Sequence, residues 1–320
     1  MISIERATKI YPNATQPSIN QISLEIGPGE LHVLLGPSGC GKTTLLKTIN
    51  RLIDLTSGTI RIDSRSITDW ESSELRRHIG YVIQQIGLFP HLSIADNIGT
   101  VPRLLGWSKS DIRRRVSEML ELIGLSQAYA KKYPLELSGG QQQRVGVARA
   151  LAGDPPILLM DEPFGAIDPI TRRRLQDEFR SIQTQLNKTV VFVTHDIDEA
   201  LRLGDRISVL REGTLVQTGS AEELFEDPHP FVMQLFGEDQ EVKRLSVTPI
   251  GHYKLASHRQ GRNVRVVPEN ASAISVLITL LDPACDVVEV RAKDGLVLGF
   301  AGLNELRSHG ADLGGEAIHE

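Results

Sequence analysis

Apolar positions recur with period two at the start of the chain, at Ile2/Ile4 and Ile22/Leu24/Ile26, and then run unbroken through Leu31–Leu35. With turn residues between them, among them Gly27-Pro28-Gly29, these runs predict short strands. Gly41 to Leu52 reads as helix, whereas Gly58–Asp63 and Ile79–Ile83 return to strand. Ile112, Val116, Leu120 and Ile123 are spaced near four apart, predicting a mostly helical insert over about 86–140 that ends at Leu137-Ser138-Gly139-Gly140. Strand and helix then alternate: Ile157–Met160, Thr171–Leu186, Thr189–Thr194, Ile197–Leu203. Such alternation predicts an α/β fold, a mainly parallel sheet covered by helices. Arg206–Gln217 reads as a hairpin turning at Glu212-Gly213, and two short helices follow, ending near Gly237. The expected organisation is a domain over 1–237, a polar linker over 238–261, a small α/β unit over 262–308 and a frayed tail over 309–320.

With 320 residues, 40% of them hydrophobic, the chain can bury a full core. A formal net charge of -5 supplies no global basic field, so nucleic acid is not an expected partner. Arg113–Arg115 and Arg172–Arg174 fall on amphipathic helical patterns and are expected as solvated faces. No run approaches the ~18 apolar residues that span a bilayer, Ala273–Leu281 coming nearest, and the first residues lack the basic-then-apolar pattern of a signal peptide. The two cysteines, Cys40 and Cys285, lie far apart, which points to a reducing, cytosolic setting.

Candidate chemistry begins at Gly36-Pro37-Ser38-Gly39-Cys40-Gly41-Lys42-Thr43, which fits G-x-x-x-x-G-K-S/T between a predicted strand and a predicted helix. Glycines let the backbone N–H groups wrap a triphosphate, and the helix start adds partial positive charge. Lys42 then reaches the outer phosphates and the Thr43 hydroxyl binds magnesium; an ordinary glycine-rich turn would leave Lys42 unexplained. Cys40, at a helix N-terminus, is expected to carry a partly activated thiol, so that a thiol reagent blocks ATP binding and ATP protects. The run Ile157–Met160 delivers Asp161 and Glu162 at a strand's C-terminal end, where ligands sit in open α/β sheets. Asp161 is suited to the magnesium shell and Glu162 to polarising a water for in-line attack. Thr189–Thr194 delivers His195 in the same way. Gln84, after Ile79–Ile83, is either an amide ligand for metal or water or an ordinary glutamine.

Leu137–Arg144, LSGGQQQR, repeats the anion-cradle logic without a lysine. Ser138 is a good N-cap, Gly139 and Gly140 admit close backbone approach, and the helix beyond is apolar at Val145, Ala148 and Leu151. Two cradles and one lysine mean either two ligands or one ligand shared between two copies.

These residues, in this order, resemble the ATP-binding subunits of ABC transporters over about Ile2–Gly237. The resemblance implies a P-loop ABC-type domain with an antiparallel β subdomain and a helical signature subdomain, and ATP and magnesium as cofactors. It matches Tyr11 to the adenine-stacking aromatic, Gly36–Thr44 (Thr44 included) to the phosphate loop, and Gln84 to a magnesium-contacting loop. Ser138–Gln141 (Ser138, Gly139, Gly140, Gln141) match the signature, Asp161 and Glu162 the metal-side acid and the catalytic base, Ala166-Ile167-Asp168 the D-loop and His195 the switch histidine. It further implies a head-to-tail dimer with a second copy, ATP lying between one copy's Lys42 loop and the other's Ser138–Gln141. A soluble clamp acting on nucleic acid or ribosomes fits less well, lacking tandem domains and a basic surface, and a P-loop kinase would leave LSGGQQQR and His195 idle.

The wording of INRLID, KKYPLELSGGQQQRVGVARALAGDPPILLMDEPFGAIDPITR and VFVTHDIDEALRLGDRI looks like the osmoprotectant uptake branch, whose solutes are glycine betaine, choline, carnitine and proline betaine. That implies separate membrane permease subunits, a solute-binding protein and a place on the inner face of the membrane, with Gln85–Ile98 beside the permease. An importer of a sugar, polyamine or anion is the alternative. The C-terminal stretch, with Val287–Val290 and a turn at Asp294-Gly295 before a last strand and helix, resembles a single CBS module. It would bind a regulatory nucleotide, pair across a dimer or serve only for packing. From Glu238 onward 12 acidic and 9 basic residues argue against simple attraction to anionic lipid.

Overall fold

The apolar runs become the central strands of a computed structural model, which describes residues 1–84, 87–165, 167–258 and 261–306. The chain divides into two compact units, Met1–Leu224 and Phe225–Glu320. In the first unit, β1 (Ile2–Lys9) and β2 (Ile19–Ile26) precede β3 (Leu31–Leu35) and α1 (Lys42–Ile49). Next come β4 (Ser57–Ile62), β5 (Arg65–Ser66), α2 (Ser72–His78) and β6 (Ile79–Val82). The insert holds α3 (Ile94–Ile98), α4 (Thr100–Leu104) and α5 (Lys109–Leu122), and leads into α6 (Gly139–Leu151). The return comprises β7 (Ile157–Asp161), α7 (Pro169–Leu186), β8 (Thr189–Thr194), α8 (Ile197–Leu203), β9 (Arg206–Arg211) and β10 (Thr214–Gly219).

Two sheets form. An antiparallel sheet of order β2-β1-β4-β5 carries the alternating strands, and a six-stranded sheet of order β10-β9-β3-β8-β7-β6 carries the unbroken apolar ones. Every residue of β3, β7 and β8 is buried, as expected for parallel strands covered on both faces. Leu35 pairs with Thr194, Asp161 with Val193 and Val82 with Met160, so four neighbouring strands end at nearly the same level. The hairpin at β9–β10 turns through Glu212 and Gly213, both with positive φ, the requirement of the tight turns that match strand twist.

The second unit holds α10 (Pro230–Phe236), reached through a first helix, α9 (Ala221–Glu226), that crosses the division; α11 (Gln240–Val247), β11 (Val264–Pro268), α12 (Ala273–Leu280), β12 (Val287–Arg291) and β13 (Val297–Ala301) complete it. Its sheet runs β11-β12-β13, the first pair parallel and the second antiparallel. Here the expectation of a linker over 238–261 is corrected. That stretch contains α11, and its Ile250 and Tyr253 are buried in one core with Val276, Leu280 and Val288, with Leu245 packed against it. The expected tail and the final helix's end fall outside the described residues.

Candidate functional site

β3 delivers its loop to the N-terminus of α1 through two glycines that no other residue could replace. Gly41 caps α1 at φ 106°, and a Cβ there would lie 2.3 Å from the Ser18 carbonyl; at Gly36 a Cβ would lie 2.3 Å from the Leu210 carbonyl. Lys42 is buried, its ammonium donating to the Gly36 and Pro37 carbonyls at 2.6 and 2.8 Å. The expected activated thiol is corrected: Cys40 is only 5% exposed, and burial pushes its pKa up, the nearby Lys42 charge only partly offsetting this. A helix start cannot activate a thiol that water does not reach.

β7 ends in Asp161, which is buried and accepts from the Thr43 hydroxyl at 2.8 Å. Burial raises the Asp161 pKa, while the Thr43 bond and the Lys47 charge oppose the rise. Burial, with the Asp161 charge adding to it, lifts the Tyr81 phenol to about 12. Glu162 then turns away from its neighbour, because its backbone is left-handed, at φ 43°, while its N–H stays bonded to the Val193 carbonyl at 3.0 Å. A left-handed conformation costs a non-glycine residue about 1 kcal/mol, and such strain collects where a side chain must be aimed. Glu162 is aimed between two partners. Gln84 donates from its amide nitrogen to Oε2 at 3.0 Å, and His195 Nδ1 lies 3.2 Å from Oε1. The chain after Glu162 is pinned by Phe164, whose ring meets Phe179 of α7 and Phe192 of β8 at 6.3 and 6.0 Å.

At the start of α6, Ser138 and Gln141 form a reciprocal capping box: Gln141 N donates to the Ser138 hydroxyl at 3.4 Å and Ser138 N to the Gln141 amide oxygen at 3.0 Å. The Gln141 amide nitrogen donates to the Tyr129 hydroxyl at 3.1 Å. A Cβ at Gly139 would meet nothing within 4 Å, whereas one at Gly140 would lie 3.2 Å from the Thr171 methyl. Gln142, without a role in the sequence reading, donates to the Leu137 carbonyl at 3.1 Å. Gln143 is buried, and its amide nitrogen has no partner.

Two arginines expected on solvated faces are corrected. Arg115 donates to the Leu151 and Ala152 carbonyls, capping the end of α6, and Arg172 donates to the Ile167 carbonyl. Orphan carbonyls draw in guanidinium groups that a helical pattern alone places in water. Asp168 caps α7 by accepting from Thr171 N at 3.0 Å, and that backbone bond holds its carboxyl below the usual range. Ala166 lies outside the described residues. Tyr11 is exposed, with the Lys9 ammonium 5.6 Å from its ring centre. The chain thus brings Lys42, Thr43, Asp161, Glu162, Gln84 and His195 to one edge of the sheet; the hydrogen bonds of Ser138 and Gln141 run instead to one another and to Tyr129.

Residues 19–165 match the family model described as ABC transporter. The chain is 51% identical over 244 residues to the glycine betaine/carnitine/choline transport ATP-binding protein OpuCA of Bacillus subtilis, covering 76% of this chain but only 64% of that protein's own length. It is 45% identical over 314 residues to the osmoprotectant import ATP-binding protein OsmV of Salmonella typhimurium, covering 96% and 81% of the two. A solved dimeric ATP-binding cassette in a post-hydrolysis state, bound to ADP and Pi, matches with a TM-score of 0.62 at 36% identity, over 69% of this chain and 98% of the other. Strand order, phosphate loop and acid pair define a P-loop nucleotide-binding cassette. The chain belongs to the ATP-binding proteins of ABC transporters, in the group formed by these osmoprotectant-uptake relatives. Among the described residues no helix is long and apolar enough to cross a membrane.

Proposed function

We propose that this chain hydrolyses ATP as a head-to-tail dimer and so powers uptake of a compatible solute, of the glycine betaine, choline, carnitine or proline betaine type, through separate membrane permease subunits fed by a solute-binding protein. The observation that carries the reading is the convergence of Gln84 and His195 on Glu162, beside the Thr43–Asp161 pair. The names of the relatives, glycine betaine, carnitine and choline transport and osmoprotectant import, support the solute class. Docking on the permease at the inner membrane face follows from the same reading.

The Thr43–Asp161 pair fits magnesium. Its donors are hard oxygens, and Asp161 is a carboxylate whose charge burial disfavours, a penalty that a divalent cation relieves. Thr43 and Asp161 are the residues that would hold the ion. The chemistry an ion held there would supply is positive charge against the phosphates. The chain's own residues do the rest. Backbone N–H groups of the Gly36–Gly41 loop cradle the triphosphate, and Lys42 exchanges its two carbonyl acceptors for phosphate oxygens. Glu162 takes the proton of the attacking water while the bond from the terminal phosphorus to the ADP oxygen breaks. Gln84 and His195 hold that carboxylate in place, and Tyr11 stacks on the adenine. Ser138–Gln141 face the partner copy's triphosphate, with Asp168 at the same junction; the dimeric state of the solved relative supports this.

For the C-terminal unit we retain the CBS-like reading, which the β11–α12–β12–β13 order supports. The cleft bounded by Ala256, His258, Val287 and Phe300 is where a regulatory nucleotide would be sought. The main test is uptake of labelled betaine, choline and proline at high osmolarity by the chain with its permease. Failure of all three removes the solute class, and absence of magnesium-dependent ATP hydrolysis removes the enzymatic reading.

A further inference from the structure

The His195 ring is more than half exposed, at 55%, yet it must stay on Glu162 to be of use. Its own segment is tied locally: Asp196 N donates to the Thr194 hydroxyl at 3.0 Å, and Asp196 Oδ1 caps α8 by accepting from Glu199 N at 3.1 Å. The other carboxylate oxygen of Asp196 accepts from Arg172 Nη1 at 3.4 Å. The second guanidinium nitrogen of Arg172 donates to the carbonyl of Ile167, the residue before Asp168, at 2.9 Å. Arg172 Nε is buried without a partner, and its two terminal nitrogens each reach a different loop. One turn further along α7, Gln176 donates to Glu199 at 3.0 Å, where both side chains are buried. One face of α7 therefore grips the His195–α8 segment at two points, and the first of these also holds the chain leading into Asp168.

We infer that Arg172 is a positioning residue that locks the His195 loop to the Ile167–Asp168 loop, so that a contact made at Asp168 is transmitted to the histidine that holds Glu162. This rests on the proposed ATP hydrolysis by a dimer that brings Asp168 to the junction. The bonds of Arg172 run to Asp196 and Ile167, not to Glu162. Its planar fork presents a separate nitrogen to each of two acceptors in a fixed geometry, which the single nitrogen of a lysine ammonium does not reproduce.

The test uses the full chain with ATP and magnesium. Arg172→Met should lower kcat about 10-fold or more while KM for ATP shifts by less than about twofold, the split expected when ground-state binding is spared. Arg172→Lys should recover part of the loss, because one of the two bonds survives. His195→Ala should cost distinctly less in the Arg172→Met background than in the parent, since residues acting as one unit are not additive. Should Arg172→Met fail to fold, Asp196→Asn, which keeps the helix cap and removes the charge facing Arg172, takes its place. Additive losses, or a rise in KM with kcat unchanged, would overturn the inference. A parent chain without hydrolysis would overturn the underlying functional reading instead, so the two failures are told apart.

Discussion

Gly139→Ala separates what the monomer needs from what a second molecule needs. Gly139 is the first residue of α6, its φ is not positive, and an added Cβ meets nothing within 4 Å. Alanine is therefore allowed there, and it should stabilise the chain by about 0.4–1 kcal/mol, chiefly by restricting the unfolded state. In a chain of this size that is an upward shift of ~1–3 °C in Tm. Gly140→Ala is the control: its Cβ would sit 3.2 Å from the Thr171 methyl, so it should gain nothing or lose slightly. For hydrolysis the expectation reverses. If the N-terminus of α6 closes on a partner's phosphates, a methyl at Gly139 holds the two apart by ~1 Å, and a displacement of that size costs on the order of 10²-fold in rate. The assay is threefold: calorimetric Tm, binding of a fluorescent ATP analogue at chain concentrations too low for pairing, and steady-state hydrolysis. The expected result is raised Tm, unchanged binding and lost turnover. Wild-type turnover would refute the view that this glycine faces another molecule, and a lower Tm would show that it serves the monomer.

Glu162→Gln should bind ATP, dimerise and hydrolyse at least ~10²-fold more slowly, as loss of a general base requires; gel filtration with ATP and phosphate release check it, and turnover within a few fold of the parent sinks the assignment. Both cysteines are buried, and burial raises the Cys40 pKa, so the native chain should react with a disulfide reagent ~10-fold or more slowly than a free thiol and release two thiols only on unfolding. One thiol per chain reacting at the free rate, with ATP protecting it, would restore the activated-thiol expectation. Burial also raises the Glu199 pKa despite bonds from Thr194 and Gln176. The folded chain then holds that proton more tightly than the unfolded one, so the Glu199 contribution is present below the unfolded pKa and is lost as pH rises through the folded value. Glu199→Gln should accordingly gain stability relative to the parent between acid and neutral pH in urea titrations; a difference that is flat or falling with pH counts against it.

How far the sequence carried depends on whether the signal was local. The strands β3, β7 and β8, the Ser138 cap and the Glu212–Gly213 turn were legible because each follows from a few neighbouring residues. The helix Gln240–Val247 was not, since eight mostly polar residues are too short a run to stand out from a polar stretch, and what secures it is Leu245 packing on a core that includes Ile250, Tyr253 and Val276. Arg115 and Arg172 were misplaced for a related reason: periodicity reports a face, not the carbonyls waiting beside it. Each acid, amide and imidazole of the site could be named along the chain, but their meeting could not. Gln84, Glu162 and His195 follow β6, β7 and β8, neighbours in the sheet that long helical crossovers separate in the chain, and the left-handed turn at Glu162 that aims it at both partners leaves no mark in composition. The same crossovers that hide the cluster also place α7 against the loop after β8. A residue such as Arg172 can therefore govern His195 without lying near it in sequence, and coupling between mutations is the measurement suited to finding it.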